Sequence, residues 1–497
     1  MTSLRGMWRL WSVYGLTSIL SRSIAFLLLP IYTRVLTPQE YGIRAMVALG
    51  LEMILLLVAC GLKEGINRFY TGGDPSVRPD EAASTGILAH AGLIGLGVVA
   101  GLLASPWLAG PLLGDAALAP FLRLGLVAGF FMHVQEAAFV YLRARQRART
   151  VAMASLGGLL ALVVLNLVFI VGLRLGVAGI FYAEIIVFGL SGLFFTVRAL
   201  REVGITIVPR VVRAMVSFGA PLMFLPFTWL VVSRADALFL THHGSLATVG
   251  IYALAVQCAQ VLQFAVVSPF RNFWDPAQFQ VARDPAGGVT FRRMFQWVTF
   301  TAVVAAFACA VGAEDVIRVM AAPSFHAAAA VVPLVLAAYV LEATHVFFNT
   351  ALLVRGRTAL TALVAVATAA VNLGANAVLV PHFLAVGAAT ARVVAMAVMV
   401  TTTYLLAQRL WPQRPSFGAL GKVAGWAVAL FVVSWWLPPL PLLVAVLVKG
   451  GLVVMLVALS IWSGAVDRDD LRAALSLARR RWPARGLAPR LREGETV

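Results

Sequence analysis

Apolar runs of about 20 residues recur along nearly the whole chain, separated by short polar segments. A helix that crosses a bilayer needs about 20 apolar residues, so the pattern predicts about 14 membrane-spanning helices. The predicted limits are 11–33, 41–62, 83–105, 119–142, 151–173, 177–199, 212–234, 248–269, 294–313, 328–353, 358–380, 383–408, 418–437 and 440–463. The segments between them are too short for a soluble domain. We therefore predict an all-α polytopic membrane protein.

Composition supports this prediction, because 61% of the 497 residues are hydrophobic and only 12% are charged. Soluble proteins carry about 25% charged residues. A chain this apolar cannot bury its hydrophobic surface in a water-soluble core. An ordinary cytoplasmic enzyme, a disordered chain and a secreted disulfide scaffold are excluded. Cys60, Cys258 and Cys309 lie in apolar runs without a spacing pattern, which indicates neither a disulfide framework nor a metal site.

The formal net charge is +18, and the excess of basic residues is explained by their distribution along the chain. If the N-terminus is cytoplasmic, cytoplasmic segments hold 30 Lys and Arg, and outer loops hold only Arg34, Arg174 and Arg318. This distribution follows the positive-inside rule. It predicts an even number of helices with both termini in the cytoplasm, and it makes a nucleic-acid partner unnecessary.

The C-terminal tail, residues 464–497, is strongly basic. Leu471, Leu475 and Trp482 stand at helical spacing beside a run of three arginines at 479–481. Two interpretations stay open: an interfacial helix that contacts anionic lipid, or a solvated basic tail.

Weak internal similarity recurs at a nearly constant offset. Tyr41-Gly42-Ile43 resembles Val249-Gly250-Ile251 at an offset of 208, and Asn166 matches Asn376 at 210. The offset covers six predicted helices, and an even number of crossings returns the chain to the same side. The halves are therefore expected to be parallel repeats about an axis along the membrane normal. The predicted units are an N-lobe (1–205, helices 1–6), a C-lobe (206–411, helices 7–12), helices 13 and 14 (412–463) and the tail (464–497).

Several arginines fall inside predicted membrane helices, where a charge is costly and is expected to face the interior or a wet cavity. The planar guanidinium suits phosphate, particularly a pyrophosphate. Arg22 of helix 1 and Glu52 of helix 2 stand at similar depth, so an ion pair between them is possible. Arg234 and Asp236 are expected at the outer end of helix 7. The predicted substrate-binding cations are Arg22, Arg44, Arg123, Arg234 and Arg392.

Acidic and histidine side chains form a second set of candidates. His133 and Glu136 are spaced i, i+3, as are Glu342 and His345, so each pair can meet on one helix face. Such pairs suit proton coupling because histidine titrates near physiological pH, but the favoured interpretation is a self-neutralising local pair. The candidate coupling or ion-pair residues are Glu52, His133, Glu136, Glu184, Glu342 and His345. No catalytic constellation, phosphate-binding loop or metal-ligand cluster is found, so we expect no enzyme activity, cofactor or metal.

The opening of the chain resembles that of bacterial polysaccharide flippases, whose superfamily also contains multidrug exporters and peptidoglycan lipid flippases. Further similar segments are Gly61 through Arg68, Gly250-Ile251-Tyr252, and Asn376 through Gly387-Ala388-Ala389, and the resemblance covers about residues 12–410. Its best motif begins at Leu20-Ser21-Arg22 and includes Leu29-Pro30-Ile31-Tyr32-Thr33-Arg34-Val35-Leu36-Thr37-Pro38-Gln39-Glu40-Tyr41-Gly42.

This resemblance implies a two-lobed bundle with a central cavity that alternates between inward- and outward-facing states. It implies transport of undecaprenyl-pyrophosphate-linked oligosaccharide across a bacterial inner membrane, with membrane lipids and polysaccharide polymerase machinery as partners. In relatives, cavity arginines bind the anionic head group, and Arg22 is the direct match. Two alternatives remain: an ion-coupled exporter of small amphiphiles on the same fold, and a membrane enzyme that polymerises or ligates the glycans. The short outer loops count against the enzyme.

Overall fold

Helices make up almost all of the chain that the computed structural model describes, namely residues 28–72, 75–284, 287–412, 415–438 and 440–465. Within these ranges there are 16 α-helices and no β-strand. They are α1 Leu29–Val35, α2 Pro38–Val58, α3 Leu62–Tyr70, α4 Pro79–Leu113, α5 Ala119–Ala144, α6 Ala148–Asn166, α7 Gly176–Val203, α8 Pro209–Leu222, α9 Phe224–His243, α10 Leu246–Leu262, α11 Ser268–Arg283, α12 Gly287–Met320, α13 Val332–Val354, α14 Thr358–Leu410, α15 Phe417–Ser434 and α16 Leu442–Trp462.

Twelve helical stretches of the described chain are long and apolar enough to cross a membrane. The predicted all-α polytopic fold is therefore confirmed. Most of the predicted first helix, and with it Arg22, lies outside the described residues, as does the tail from residue 466.

The start of α2 shows why the Thr-Pro-x-Glu motif stands where it does. The Thr37 hydroxyl accepts a hydrogen bond from the Glu40 amide, and the Glu40 carboxylate accepts one from the Thr37 amide. Pro38 takes the first helical position, where no amide hydrogen is needed. The motif is thus a capping box that begins α2 at a defined residue.

The seventh predicted span, 212–234, is wrong at both ends. The chain forms α8 and then α9, which meet at Met223 beside Pro221. Arg234 and Asp236 consequently lie in the middle of α9 rather than at an outer end. Counting apolar residues stopped the helix at Arg234, but Asp236 is neutralised by Arg392, so the helix continues through both charges to His243.

The eleventh and twelfth predicted helices are both contained in α14. They are separated at Leu384, whose left-handed backbone (φ 45°, ψ −123°) turns the chain just after Pro381. Other helices run beyond their predicted limits, notably α4 and α12. Polar residues lower the hydropathy at both ends of α12 and at the start of α4 without stopping the helix. At its other end α4 continues past residue 105 through Pro106 and Pro111.

Most contacts between helices lie within one half of the described chain, and several join the two halves. Helices α2 and α10 pack closely and join the first half to the second. Helix α8 packs on α3 and α4 of the first half, whereas α9 packs on α14 and α10 of the second, so the break at Met223 stands between the halves. Helices α15 and α16 pack on α12 and on each other. The two-lobe boundaries themselves stay a prediction.

Candidate functional site

The first half holds a half-buried polar cluster around Arg44. The Arg44 Nη2 atom lies 3.5 Å from Glu184 Oε1, and the side chains of Arg44 and Glu184 are 34% and 24% exposed. The guanidinium carbon lies 5.4 Å from the centre of the Tyr32 ring, and Asn166 Nδ2 donates a hydrogen bond of 2.9 Å to the Tyr32 hydroxyl. Arg44 is therefore oriented by a carboxylate and a ring, yet about a third of its side chain stays exposed.

The second half holds a cluster around Arg392 that is closed to solvent. Arg392 Nη2 lies 2.8 Å from Asp236 Oδ2, and the two side chains are only 5% and 2% exposed. The Tyr252 hydroxyl donates to the same carboxylate, and Arg392 also donates to the Ser233 carbonyl. A buried pair with this many hydrogen bonds is held in place, and its charges are not available to a ligand.

The two clusters occupy equivalent places in the two halves. Tyr252 follows Arg44 by 208 residues, and Arg392 follows Glu184 by the same offset. In each half the two positions touch: Arg44 meets Glu184, and the Arg392 guanidinium carbon lies 6.0 Å from the Tyr252 ring centre. The same two positions thus touch in both halves, but their charges differ. The cation is on α2 in the first half and on α14 in the second.

Arg234 stands apart from both pairs. Its side chain is exposed although it lies in mid-helix, and Asp236, the nearest acidic residue in sequence, is bound to Arg392. In the described chain no carboxylate pairs with Arg234, while Tyr339 of α13 is close enough to interact with it electrostatically. A guanidinium at this depth is expected to face the interior rather than lipid. Arg234 is therefore a cation that the protein leaves available.

Arg123 belongs to neither cluster. It is exposed near the start of α5, and its Nε donates a hydrogen bond of 2.7 Å to Ser105 Oγ of α4. The structure thus brings Arg123 to a contact between two first-half helices. Arg22, the remaining predicted cation, lies outside the described residues.

The predicted contact between His133 and Glu136 is not made. Glu136 reaches two turns along its own helix to Arg143, with an Oε1–Nη2 distance of 2.6 Å. His133 instead faces His90 of α4, with ring centres 5.7 Å apart. An i, i+3 spacing permits a contact, but a nearby arginine on the same helix attracts the carboxylate more strongly.

The second predicted pair is also redirected. Glu342 is buried and accepts a hydrogen bond of 3.2 Å from Gln263 Nε2, and Arg271 Nη1 lies 3.8 Å from it. Its charge is met by Arg271 rather than by the partly buried His345. Glu52 is exposed on α2, two turns after Arg44 on the same face, and its predicted partner Arg22 is beyond the described part.

Three residues in these polar contacts, Tyr252, Arg271 and His90, were not predicted from the sequence. A repeat offset of 208 from Arg44 points to Tyr252, so that residue could have been found. Arg271 and His90 carry no such signal, because their partners come from other helices. In the described chain no group of three or more His, Cys, Asp or Glu residues could hold a metal ion.

Comparison with protein families identifies one family that matches the sequence. The family described as "Polysaccharide biosynthesis protein" matches residues 7–280, more than half of the chain. The chain belongs to this family. No curated protein sequence matches it.

Solved structures share the fold at low sequence identity. "Lipid II flippase MurJ, inward closed conformation" matches with a TM-score of 0.70 at 10% identity, over 90% of this chain and 98% of that one. An inward-facing multidrug resistance MATE family transporter of the MOP superfamily matches with 0.62 at 15% identity, over 78% and 95%. An outward-facing MATE family transporter matches with 0.55 at 14% identity, over 80% and 94%. The chain therefore shares the fold of a lipid II flippase and of MATE family transporters.

Proposed function

We propose that the protein is a flippase that carries undecaprenyl-pyrophosphate-linked oligosaccharide from the cytoplasmic to the periplasmic leaflet of a bacterial inner membrane. The family concerns polysaccharide biosynthesis, and the MurJ fold belongs to a flippase of a lipid-linked substrate. The excess of Lys and Arg in alternate segments supports a cytoplasmic location for both termini in this proposal. A polysaccharide polymerase at the outer face would then take up the product.

The observation that carries this proposal is the accessible, uncompensated guanidinium of Arg234. A pyrophosphate needs cations that are not already neutralised by the protein, and a guanidinium offers two parallel donors to it. Arg44, half exposed beside Glu184, is the second such group. Arg392 is excluded from this role in the described state because Asp236 takes its charge.

In this proposal, access alternates through rearrangement of the contacts between the halves. The head group would enter an inward-open state and settle on Arg234 and Arg44 while the prenyl chain stays in lipid. The contact between α2 and α10 would then open as the cytoplasmic side closes. Binding drives this change only if the head group interacts better with the closed state than with the open one.

The test uses cells that lack the protein and measures lipid-linked glycan separately in each leaflet. We expect accumulation in the cytoplasmic leaflet, relief by the wild type, and at least about tenfold weaker relief by Arg234→Gln, since a hydrogen bond to a charged group contributes about 1.5–3 kcal/mol. Arg357→Gln, which removes an equal charge from an exposed loop, should complement fully. Accumulation of unpolymerised glycan outside would favour a polymerising enzyme and contradict the proposal.

An ion-coupled exporter of small amphiphiles is the second candidate. It is favoured by the similarity to MATE transporters and by carboxylates within membrane helices, namely Glu52, Glu184 and Glu342. In the same cells it predicts no glycan accumulation but a rise in sensitivity to amphiphilic toxins.

A further inference from the structure

A groove of about 1150 Å³ lies between α6 and α7. Its α6 wall is made of small residues, Ala154, Gly157, Gly158 and Ala161, and its α7 wall carries large apolar side chains such as Leu190, which is 70% exposed. The buried residues of α6 stand only near its two ends, at positions 148, 151, 152 and 166. The middle of α6 is thus poorly covered by protein, and an apolar chain from the bilayer must fill the groove.

One end of this groove is cationic. Arg198 and Arg201 line it together with Glu202. The Glu202 carboxylate is already bound by Arg145 and by Arg147 (2.6 Å), and it lies 3.6 Å from Arg198 Nε. Four arginines and one glutamate give this end a formal charge of 4 − 1 = +3. Arg201 is exposed, and no acidic group of the described chain pairs with it.

The position of the cationic end matches one membrane surface. It contains the start of α6 and the end of α7, which the distribution of basic residues places on the cytoplasmic side. That leaflet has a negative surface potential, and basic pockets between helices on this side bind anionic head groups. An apolar groove that ends in a basic cluster at the interface matches an anionic lipid, which has an apolar chain and a negatively charged head group.

We propose that the groove binds an anionic phospholipid of the cytoplasmic leaflet, with one acyl chain between α6 and α7 and its phosphate on Arg198 and Arg201. Small residues at Gly157 and Ala161 leave room for the chain. This site is separate from the interior arginines and does not depend on what the protein transports.

The test uses the purified full-length protein and native mass spectrometry with two probes, dioleoyl-phosphatidylglycerol and dioleoyl-phosphatidylcholine. We expect phosphatidylglycerol to bind more tightly. Each arginine near the surface should contribute about fivefold, so the double variant Arg198→Gln/Arg201→Gln should lose about 25-fold in affinity. Arg409→Gln, which removes one positive charge from an exposed residue of α14, should leave the affinity unchanged.

A second variant tests the groove without altering charge. In the described chain no neighbouring side chain or other helix lies within 4 Å of a Cβ built at Gly157, so Gly157→Leu should fold and fill the groove. We expect it to lose phosphatidylglycerol although both arginines remain, and Ala161→Leu offers the same test independently. The proposal is overturned if the two lipids bind equally, or if Arg409→Gln loses as much affinity as the double variant. It is also overturned if undecaprenyl phosphate displaces phosphatidylglycerol at equal concentration, which would make the groove a site for the polyprenyl chain.

Discussion

Gly42 of α2 and Gly250 of α10 occupy equivalent positions, and each lies against the backbone of the other helix. A Cβ at Gly42 would stand 1.8 Å from the Leu246 carbonyl oxygen, and a Cβ at Gly250 would stand 2.0 Å from the Pro38 carbonyl oxygen. Pro38 and Leu246 are themselves related by the offset of 208. The contact is thus reciprocal, as expected where two repeats meet at a twofold axis. Only residues without a side chain allow this approach.

We predict that Gly42→Ala forces α2 and α10 apart at this end. Overpacking of this kind costs about 1–3 kcal/mol, enough to shift a conformational equilibrium between closed and open states. Spin labels at Gln39 and Ala247, in a variant without the three native cysteines, would report the separation. We expect the distance distribution to move to longer values, and Gly250→Ala should act in the same way.

Gly374→Ala in α14 is the matched control, because an added Cβ there meets no atom within 4 Å. It should leave the distance distribution unchanged. An unchanged distribution in Gly42→Ala as well would show that the two helices do not need this contact.

Much of the architecture could be predicted because hydropathy is a local property. The helices depend on residues close in sequence. The same is true of the Thr37–Glu40 capping box that begins α2, although the prediction began that helix at residue 41. The spacing of 208 between Gly42 and Gly250 was also visible. Their contact was not, because the sequence shows equivalence between repeats but not which faces meet.

The pairing of buried charges was the least predictable feature. Spacing on one helix suggested that His133 meets Glu136, whereas the actual neighbour of His133 is His90, 43 residues earlier on another helix. Likewise, Asp236 binds Arg392, 156 residues away. These contacts depend on how helices are arranged around one another, and the spacing of residues within one helix carries no such information.

The Arg392–Asp236 pair yields a stability prediction. Removing one partner of a buried ion pair leaves an uncompensated charge and costs about 3–5 kcal/mol. We expect Asp236→Ala and Arg392→Ala each to lower the unfolding temperature strongly, and the double variant to be less damaging than the sum of the two. Thermal unfolding of purified variants checks this. Glu314→Ala, which breaks an exposed pair with Arg318, should change the free energy of unfolding by only about 0–1 kcal/mol. Additive effects of the two substitutions would contradict the pairing.

His90 and His133 yield a prediction that distinguishes a purely structural ring contact from a role in proton coupling. His90 is fully buried, and neither of its ring nitrogens has a hydrogen-bond partner among the described residues. A buried polar group without a partner costs about 1–3 kcal/mol, so His90→Phe should keep the ring contact and raise the unfolding temperature. We expect the pH profile of transport to stay the same. If the pH profile of transport shifts in both His90→Phe and His90→Gln, the two histidines have a role in proton coupling.

Arg44 and Glu184 distinguish the two candidate functions most directly. If Arg44 receives an anionic head group, Arg44→Gln should reduce flipping at least about tenfold, because it removes charge-assisted hydrogen bonds of about 1.5–3 kcal/mol. Glu184→Gln removes a carboxylate that competes with the head group for Arg44, so it should preserve or increase flipping. An exporter that couples to protons through Glu184 requires the opposite order, with Glu184→Gln inactive and Arg44→Gln partly active.

Both side chains are partly exposed and 3.5 Å apart, so both substitutions disturb the same contact and differ mainly in the charge they remove. Leaflet-resolved glycan accumulation in cells that express each variant at equal levels measures the order, and that order alone decides between the functions.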